Sequence, residues 1–376
     1  MGTQSNRVSE QPRTRLGVVG CGTISDAYLS GLATFDFLDV VALADLDLER
    51  ARARAQQHGV ARACTVDELL ADDSIELVVN LTIPAAHAEV SLAAIDAGKS
   101  VYSEKPLAIE REQGRQVVDA ARARGVLLGG APDTFLGGGL QTSGALLDSG
   151  TIGTLVGATA TFMNRGPESW HPNPAFYYAR GGGPLFDMAP YYLTALVAFF
   201  GPVRRVSASA VTSFAERVAN SAHHQGLVIR PEVPTHVTSV LEFASGAVAN
   251  LTASFDVWKT AAPPLEIYGS EGTLQAPDPN TFGGPVQAWD RASATWSDQP
   301  LTHGYREQCR GIGVADLARA LQTGRTPRAS GDLTFHVLDL LCTIVAAAEE
   351  GRWLDVVSTC ERPLPLPPGR PDGDLD

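Results

Sequence analysis

Positive charge is scarce in this chain. Among its 376 residues, 29 are Lys or Arg and 42 are Asp or Glu, which gives a formal net charge of −13. A protein surface of this sign repels phosphate backbones and anionic lipid headgroups. We therefore expect neither nucleic acid nor a membrane surface among the partners of this protein.

Cysteine and long apolar runs are also scarce. The 5 cysteines are widely spread and none forms a C-x-x-C pair, which argues against a disulfide framework and a zinc site, so no bound metal is expected. Apolar runs such as residues 193–201 fall far short of the roughly 20 residues that span a membrane. Because the N-terminus is polar, without the apolar core of a signal peptide, we expect a cytoplasmic protein.

The length of the chain favours two domains, and its 44% apolar and 19% charged residues are typical of a globular protein. The polar start and the proline-rich end cannot bury enough apolar surface to order themselves, so residues 1–14 and 362–376 are predicted to be flexible tails. Between them we place a first domain at residues 15–132 and a second at residues 133–361.

Short apolar runs alternate with helical patterns throughout the first domain. The strand-like runs are residues 15–20, 40–45, 75–82, 100–104 and 126–131. This alternation is typical of βαβ units and predicts a parallel sheet, and the continuous hydrophobicity of the runs fits strands that helices cover on both faces. We therefore predict an α/β fold of the Rossmann type.

The second domain shows longer runs of alternating character. Residues 155–163, 237–258 and 264–274 read as strands separated by short turns, which predicts an open, mostly antiparallel sheet in an α+β domain. Two helices, at residues 311–324 and 333–351, close the chain, each ending at a glycine. These closing helices can pack back on the first domain.

A glycine turn follows the first predicted strand. Gly20 and Gly22 precede an amphipathic helix that begins with Thr23 and Ile24. A tight strand-to-helix turn favours glycine, and a second glycine lets a pyrophosphate approach the N–H groups of the helix N-terminus. The third glycine of the usual fingerprint is replaced by Ser25, and glycine pairs also serve plain turns, so this motif alone leaves both interpretations open.

The second predicted strand ends at Asp45, 25 residues after Gly20. A carboxylate at this point can accept both hydroxyl groups of the adenosine ribose and repels a 2′-phosphate. Because Leu46, and not an arginine, follows Asp45, we predict NAD as the cofactor. Asp45 can alternatively cap the next helix, although Asp47 fills that role equally well.

Further motifs follow in a characteristic order: "TIPAAH" at 82–87, "EKP" at 104–106 and "GGGPLFDMAPYYL" at 181–193. With the glycine turn, they make the chain resemble the Gfo/Idh/MocA oxidoreductases, the family of glucose-fructose oxidoreductase and inositol dehydrogenase. The resemblance covers nearly the whole chain between the tails. It implies an NAD-binding Rossmann domain, with Thr82, Pro84, His87, Glu104 and Lys105 beside the cofactor.

The resemblance also implies that Lys105 lies between nicotinamide and substrate. A cation there favours ionisation of a substrate hydroxyl and stabilises the alkoxide that forms as hydride leaves. Without the motif, Lys105 is a solvated loop lysine at a strand end. We take the catalytic interpretation.

The family usually shows an aspartate followed four residues later by histidine, and the matching residues here are Asp187 and Tyr191. Residues four apart share a helix face, so both can reach one hydroxyl, and Asp187 can also cap that helix. A free phenol has a pKa of about 10, but a nearby Lys105 ammonium favours the phenolate. His171, next to Trp170, is the alternative to Tyr191 as the catalytic base. We predict Tyr191 as proton relay or hydroxyl ligand, and His171 and Trp170 as substrate contacts, while a loop hydrogen bond is the alternative for His171.

The expected function is NAD-dependent oxidation of a secondary hydroxyl on a sugar, glycoside or cyclitol, or the reverse reduction. Two alternatives stay open: a glycosidase or lyase that oxidises its substrate transiently, and a non-enzymatic sugar or NAD sensor. The resemblance further implies a homodimer or homotetramer associated through the open sheet of the second domain.

Overall fold

The computed structural model describes residues 13–222 and 224–376. The first domain holds six parallel strands in the order β3-β2-β1-β4-β5-β6. The strands are β1 Thr14–Val19, β2 Leu38–Ala44, β3 Ala63–Cys64, β4 Leu77–Asn80, β5 Ser100–Ser103 and β6 Leu128–Gly130. The parallel sheet predicted from the alternating runs is confirmed.

Five helices connect these strands: α1 Thr23–Leu32, α2 Leu48–His58, α3 Val66–Leu70, α4 His87–Asp96 and α5 Arg111–Arg124. The strand order reverses direction between β1 and β4. Ligands of doubly wound sheets bind at such a reversal, in the crevice outside the carboxyl ends of the strands. The fold therefore places the glycine turn after β1, and the "TIPAAH" segment after β4, on either side of this crevice.

The second domain is a nine-stranded sheet in the order β16-β15-β14-β13-β7-β12-β11-β8-β17, with a separate two-stranded sheet of β9 and β10. The β7–β12 pair is parallel and all the others in the large sheet are antiparallel. The strands are β7 Leu155–Met163, β8 Val203–Val211, β9 Arg217–Val218, β10 Val228–Ile229, β11 His236–Phe243, β12 Val248–Ser254, β13 Leu265–Gly269, β14 Gly272–Ala276, β15 Gln287–Asp290, β16 Thr295–Asp298 and β17 Leu354–Asp355. The prediction of a mostly antiparallel sheet is confirmed.

Helices cover one face of this large sheet. The remaining helices are α6 Gly138–Asp148, α7 Gly183–Phe200, α8 Ile312–Thr323 and α9 Gly331–Glu350. α7 and α9 pack on the sheet, so buried and exposed residues alternate along β11, where Leu241 is fully buried and its neighbour Val240 is exposed. The other face of the sheet is open.

The two closing helices return to the first domain. α8 lies against α1, β5 and β6, and α9 lies against α5 and β6 as well as α7 and β8. Both end where the sequence predicted, at Gly324 and Gly351 in the left-handed conformation. Within the described residues, α9 is the one helix long and apolar enough to cross a membrane, but most of it is buried inside the protein, as in a core helix.

The proline-rich end of the chain is not a loose tail, and that prediction is wrong. Leu366 and Leu375 are buried, and the backbone N–H of Leu366 donates to Gln141 Oε1 at 2.7 Å. Asp372 Oδ1 accepts from the backbone N–H of Tyr305 at 2.7 Å. A few apolar anchors and side-chain acceptors on remote elements order this segment, and its composition did not reveal them. Of the predicted tail 1–14, residues 1–12 lie outside the described residues and Thr14 begins β1.

Candidate active site

The glycine turn after β1 is built for close approach. Gly20 has φ +98°, and a Cβ on it would lie 2.5 Å from the Leu81 carbonyl oxygen at the end of β4. Gly22 precedes α1 with ordinary dihedral angles, and a Cβ there would meet no atom within 4 Å. The first glycine is therefore required by the fold, while the second leaves open space in front of the helix.

The N-terminus of α1 has no side-chain cap. Its first residues, Thr23 and Ile24, are exposed, so their backbone groups border the open space beside Gly22. Ser25, which replaces the third glycine, is fully buried and donates from its hydroxyl to the Gly22 carbonyl at 2.7 Å. A helix N-terminus without a cap, beside a glycine with free space, fits the pyrophosphate of a dinucleotide.

Asp45 lies at the carboxyl end of β2, directly beside the glycine turn. Its Oδ2 accepts from the backbone N–H of Cys21 at 2.8 Å, and its Oδ1 accepts from the backbone N–H of Asp47 at 2.9 Å. Asp47, not Asp45, caps α2 by accepting from Glu49 and Arg50. Arg50 Nη1 is 3.6 Å from Asp45 Oδ1, so a cation that sequence analysis did not consider stands beside the carboxylate.

The "TIPAAH" segment forms the turn between β4 and α4. Thr82 donates from its hydroxyl to Asn80 Oδ1 at 2.7 Å, and Pro84 begins a 3-10 turn. His87 is 1% exposed; its Nδ1 faces the Pro106 carbonyl at 2.6 Å and its Nε2 the Thr82 carbonyl at 3.0 Å. Burial outweighs these carbonyls and lowers the pKa of His87. His87 thus connects the turns after β4 and β5 as a buried side chain, and its predicted contact with the cofactor stays a prediction.

Glu104 is also a brace. It is 7% exposed, its Oε1 accepts from the Tyr28 hydroxyl at 2.8 Å, and its Oε2 accepts from the backbone N–H of Lys105 at 2.8 Å. Both carboxylate oxygens therefore face inward and fix the turn from which Lys105 projects. Glu104 thus positions Lys105, and its predicted contact with the cofactor stays a prediction.

Lys105, Asp187 and Tyr191 lie together, as the resemblance implied. The Lys105 ammonium donates to Asp187 Oδ1 at 2.9 Å and to the Asp187 carbonyl at 2.6 Å, and its Nζ lies 5.2 Å from the centre of the Tyr191 ring. The two hydrogen bonds use two of its three N–H donors. Within the described residues, the third has no protein acceptor and is available to a ligand.

Burial alone disfavours the charged form of Lys105. The Asp187 carboxylate, with Tyr191 and Glu104, outweighs that effect, so the pKa of Lys105 is raised. Lys105 therefore stays an ammonium through the neutral range. It can stabilise negative charge but cannot act as the general base.

The helix that carries Asp187 and Tyr191 begins earlier than predicted. α7 starts at Gly183 with Pro184 in its first turn, so Asp187 lies inside the helix and does not cap it. Pro190 also lies inside and has no N–H to donate to the Phe186 carbonyl. The next carbonyl, that of Asp187, is the one that accepts from Lys105. Asp187 and Tyr191 still share one face, as their spacing predicted.

His171 and Trp170 lie on a loop with Tyr177. The His171 ring centre is 4.7 Å from that of Tyr177, and its Nδ1 accepts from the backbone N–H of Asn173 at 3.0 Å, which is the loop hydrogen bond left open as the alternative. Trp170 is 62% exposed. Burial raises the pKa of Tyr177 to about 12, and Asp187, Lys105 and Tyr191 also act on it, so Tyr177 connects this loop with the Lys105 cluster.

Sequence analysis missed two charged residues at the same edge. Asp133 follows β6, and Arg310 precedes α8 with its guanidinium carbon 5.6 Å from the centre of the Tyr191 ring. Arg310 Nη1 is 3.6 Å from Asp133 Oδ1. Asp133 had a usable signal, since it is the first acidic residue after a predicted parallel strand. Arg310 had none, because α8 is remote from α7 in sequence.

No group of three His, Cys, Asp or Glu residues that could hold a metal ion occurs in residues 13–222 and 224–376. The residues described above form two sets, which together make up the candidate site. We call Gly20, Gly22, Asp45 and Thr82 the cofactor side. We call Lys105, Asp187, Tyr191 and Arg310 the substrate side.

Two protein families' models match this chain. Residues 14–130 match that of an oxidoreductase family with an NAD-binding Rossmann fold, and residues 140–275 match that of the GFO/IDH/MocA C-terminal domain. Trans-1,2-dihydrobenzene-1,2-diol dehydrogenase of Bos taurus is 28% identical over 268 residues, 70% of this chain and 74% of that protein. D-xylose 1-dehydrogenase (NADP(+)) 2 of Haloferax volcanii is 29% identical over 322 residues, 83% of this chain and 90% of that protein.

Solved structures share the whole fold. An NAD binding oxidoreductase from Klebsiella pneumoniae superposes with a TM-score of 0.80 at 24% identity, over 92% of this chain and 99% of that one. A levoglucosan dehydrogenase in complex with NADH and L-sorbose superposes with a TM-score of 0.80 at 21% identity, over 93% of this chain and 100% of that one. At this level of identity, the likeness is one of architecture.

Proposed function

Because this chain belongs to the Gfo/Idh/MocA oxidoreductases, we propose that it transfers hydride between NAD and a secondary hydroxyl group of a sugar, glycoside or cyclitol. The observation that carries the proposal is the Lys105 ammonium, held by Asp187 beside the Tyr191 ring at the carboxyl edge of the parallel sheet. The names of the relatives from Bos taurus and Haloferax volcanii describe dehydrogenases of a diol and a sugar.

The residues of the cofactor side fit a dinucleotide. The uncapped N-terminus of α1 and the space beside Gly22 would hold the pyrophosphate, and Asp45 would accept from the adenosine ribose. We propose NAD over NADP because Asp45 repels a 2′-phosphate. Arg50, at 3.6 Å, weakens that repulsion, and the Haloferax volcanii relative is named for NADP(+), so comparative binding of ADP and 2′-phospho-ADP-ribose by calorimetry tests the preference directly.

The residues of the substrate side suit alcohol oxidation. The free N–H of Lys105 donates to the substrate oxygen and stabilises it as the O–H bond breaks. Tyr191, as its phenolate, takes the hydroxyl proton, while Asp187 keeps Lys105 charged and in place. The chemistry that NAD supplies when bound is acceptance of the hydride from the carbinol carbon, which leaves a carbonyl group.

The loop around residues 170–177 forms the proposed substrate wall. Trp170 and Phe176 are 62% and 43% exposed, and Tyr177 and His171 pack together behind them. Aromatic faces of this kind bind the apolar faces of sugar rings. Tyr178, by contrast, is 1% exposed and is a core residue. We propose Trp170 and His171 as substrate contacts.

The direct test is absorbance at the reduced-nicotinamide band after purified protein is mixed with NAD or NADP and a panel of inositols, free sugars and glycosides. We expect one substrate class to reduce NAD, and Lys105→Ala to lose that activity. The matched control is Lys259→Ala, which replaces an exposed lysine. A protein that binds no nicotinamide nucleotide and oxidises nothing in the panel contradicts the proposal.

Two other outcomes of the same test have definite meanings. No change in absorbance with any compound of the panel, together with NAD that stays bound through purification, favours the transient-oxidation alternative, in which hydride returns to the product. Binding of both sugar and NAD without any turnover favours a sensor.

We further propose a cytoplasmic homodimer or homotetramer. The open face of the large sheet exposes Val240 and Val248 by 36% and 47%, and a second copy of the chain would cover them. Light scattering of wild type and of Val240→Glu tests this assembly: the wild type should be oligomeric and the variant smaller.

A further inference from the structure

Arg310 is buried at the carboxyl edge of the parallel sheet. Its side chain lies in the turn before α8 and the residue is 5% exposed. Asp133 fixes this turn, because its Oδ2 accepts from the backbone N–H groups of Gly311 at 2.7 Å and Gly313 at 3.3 Å. The backbone from which the Arg310 side chain projects is therefore fixed.

The hydrogen bonding of Arg310 differs from that of the other buried arginines described, Arg217 and Arg328. Arg217 donates from all three of its nitrogens, to Glu168, to Asp256 at 2.6 Å, and to two backbone carbonyls. Arg328 donates to Asp316 at 2.5 Å and to the Pro365 carbonyl at 3.3 Å. This chain therefore satisfies buried guanidinium groups where they serve the fold.

Two of the three nitrogens of the Arg310 guanidinium are left without a hydrogen bond to any residue that the structure describes. Within the described residues its Nε and Nη1 are buried and have no hydrogen-bond acceptor. The nearest carboxylate oxygen, Asp133 Oδ1, is 3.6 Å from Nη1 and also has no donor. A buried cation without hydrogen bonds costs stability, so such a group in a folded protein calls for a functional explanation.

Arg310 faces the ring that Lys105 also faces. Its guanidinium carbon is 5.6 Å from the centre of the Tyr191 ring, and Lys105 Nζ is 5.2 Å from the same point. Both distances lie within the roughly 6 Å over which a cation is attracted to an aromatic ring. Tyr191 is thus bordered by two cations that come from different domains.

We propose that Arg310 is a positioning residue of the active centre, which holds the Tyr191 ring and stabilises negative charge on its oxygen when Tyr191 exchanges a proton with the substrate. This inference rests on the proposed role of Tyr191 in hydride transfer.

The charged and titratable groups around Tyr191 come from four elements. Lys105 projects from the turn after β5, Asp187 lies one helical turn earlier on α7, Tyr177 lies on the aromatic loop and Arg310 precedes α8. Lys105 and Arg310 place positive charge beside the Tyr191 ring, and Asp187 places negative charge beside Lys105. Removing one of the two cations should therefore have a visible effect.

The test compares four variants: Arg310→Gln, Arg310→Lys, Tyr191→Phe and the double variant Arg310→Gln/Tyr191→Phe. The control is Arg306→Gln, which replaces an exposed arginine of the same loop. We expect Arg310→Gln to lower kcat by about 10- to 100-fold and to move the acid limb of the pH–rate profile to higher pH. Arg310→Lys should retain most activity. In the Tyr191→Phe background, the further loss should be less than about 3-fold.

An equal loss in both backgrounds, or an unchanged pH profile, overturns the proposal, because Arg310 would then act through the fold. Thermal denaturation of each variant checks the fold directly. If Arg310→Gln is unstable because Asp133 loses its counter-charge, Arg310→Gln/Asp133→Asn removes both charges and takes its place.

A substrate-free measurement separates this proposal from the proposed function. Burial raises the pKa of each of the other seven of the 8 tyrosines. Phenolate absorbance that appears in the wild type on raising the pH, and that Tyr191→Phe lacks, reports on Tyr191. We expect Arg310→Gln to move this signal to higher pH; if it stays in place, the proposal fails, even if the enzyme oxidises the panel.

Discussion

The cofactor side and the substrate side of this protein are built differently. On the cofactor side, Gly20, Gly22 and Asp45 come from two consecutive turns of one sheet and act largely through backbone geometry. On the substrate side, Lys105, Asp187, Tyr191 and Arg310 come from widely separated segments of both domains and act through paired charges. The residues of the cofactor side are therefore close in sequence, whereas those of the substrate side are brought together only by the tertiary fold.

This difference implies that the two sides can be altered independently. The cofactor side depends on space and on free N–H groups, so added atoms should damage it. The substrate side depends on charge balance, since Asp187 opposes the partly buried Lys105 and Asp133 the buried Arg310, so lost charges should damage it.

Removal of the Lys105 charge should have the largest effect. Lys105→Met deletes the group that stabilises the developing alkoxide, and we expect kcat to fall by about 10³-fold. Fluorescence titration with NADH should give an affinity within about 3-fold of wild type, since the cofactor side is untouched. A large loss of NADH affinity, with Lys259→Met normal, would show that the two sides are not independent.

Substitutions of Tyr191 and His171 should have different kinetic effects, because Tyr191 is the proposed base and His171 a proposed substrate contact. We expect Tyr191→Phe to lower kcat by about 10²-fold or more, because it removes the proton acceptor. His171→Ala should chiefly raise KM, with kcat within about 5-fold, because His171 packs on Tyr177, which lies between it and the Lys105 cluster. Steady-state kinetics of both variants measures the split, and the opposite pattern would make His171 the base.

Substitution of the two glycines of the turn should affect different properties, NADH affinity for Gly22 and stability for Gly20. Gly22→Ala places a methyl group in open space, so we expect unchanged stability but an NADH affinity lower by about 10-fold. Gly20→Ala forces a Cβ against the Leu81 carbonyl at φ +98° and should lower the free energy of unfolding by about 1–3 kcal/mol. Denaturant unfolding and NADH titration check both; equal destabilisation by the two changes contradicts this assignment.

The smallest expected effect is on pH-dependent stability. The pKa of His87 is lowered in the folded state, so the unfolded chain binds more protons, and the contribution of His87 to stability is lost as the pH falls below about 6.5. One such group changes the free energy of unfolding by at most about 1.4 kcal/mol per pH unit. His87→Gln should show a shallower slope between about pH 5 and 6.5 than wild type. Equal slopes would show that another group titrates.

Much of the fold was predictable because local patterns carry it. The strand at residues 155–163 was predicted at its observed bounds, since alternation and flanking turns mark its ends. The start of α7 was misplaced, because Gly182 and Gly183 resemble a loop although Pro184 suits a first helical turn. The end of the chain was misjudged because Leu366 and Leu375 find acceptors and apolar contacts on remote elements.

The candidate site divides along the same line. Asp45 was identifiable because parallel strands end at one edge of a sheet, so sequence position implies place, whereas Lys105 was identified through the resemblance carried by the "EKP" motif. His87 and Glu104 were assigned to the cofactor, but their side chains turn inward, which depends on whether Thr82, Pro106 and Tyr28 offer partners. Arg310 was missed because nothing in sequence connects it to Tyr191.

The sequence by itself determined the family, the parallel sheet, the glycine turn and the common helix face of Asp187 and Tyr191, because spacing along one strand or helix dictates direction. That Lys105 lies beside them was implied by the family resemblance. Only the tertiary structure decided which charged groups are braces and which face the cleft, and that a second cation borders Tyr191. Those outcomes depend on burial and on partners such as Tyr28 for Glu104 and Gly311 for Asp133, which lie 76 and 178 residues away, and no local pattern encodes either.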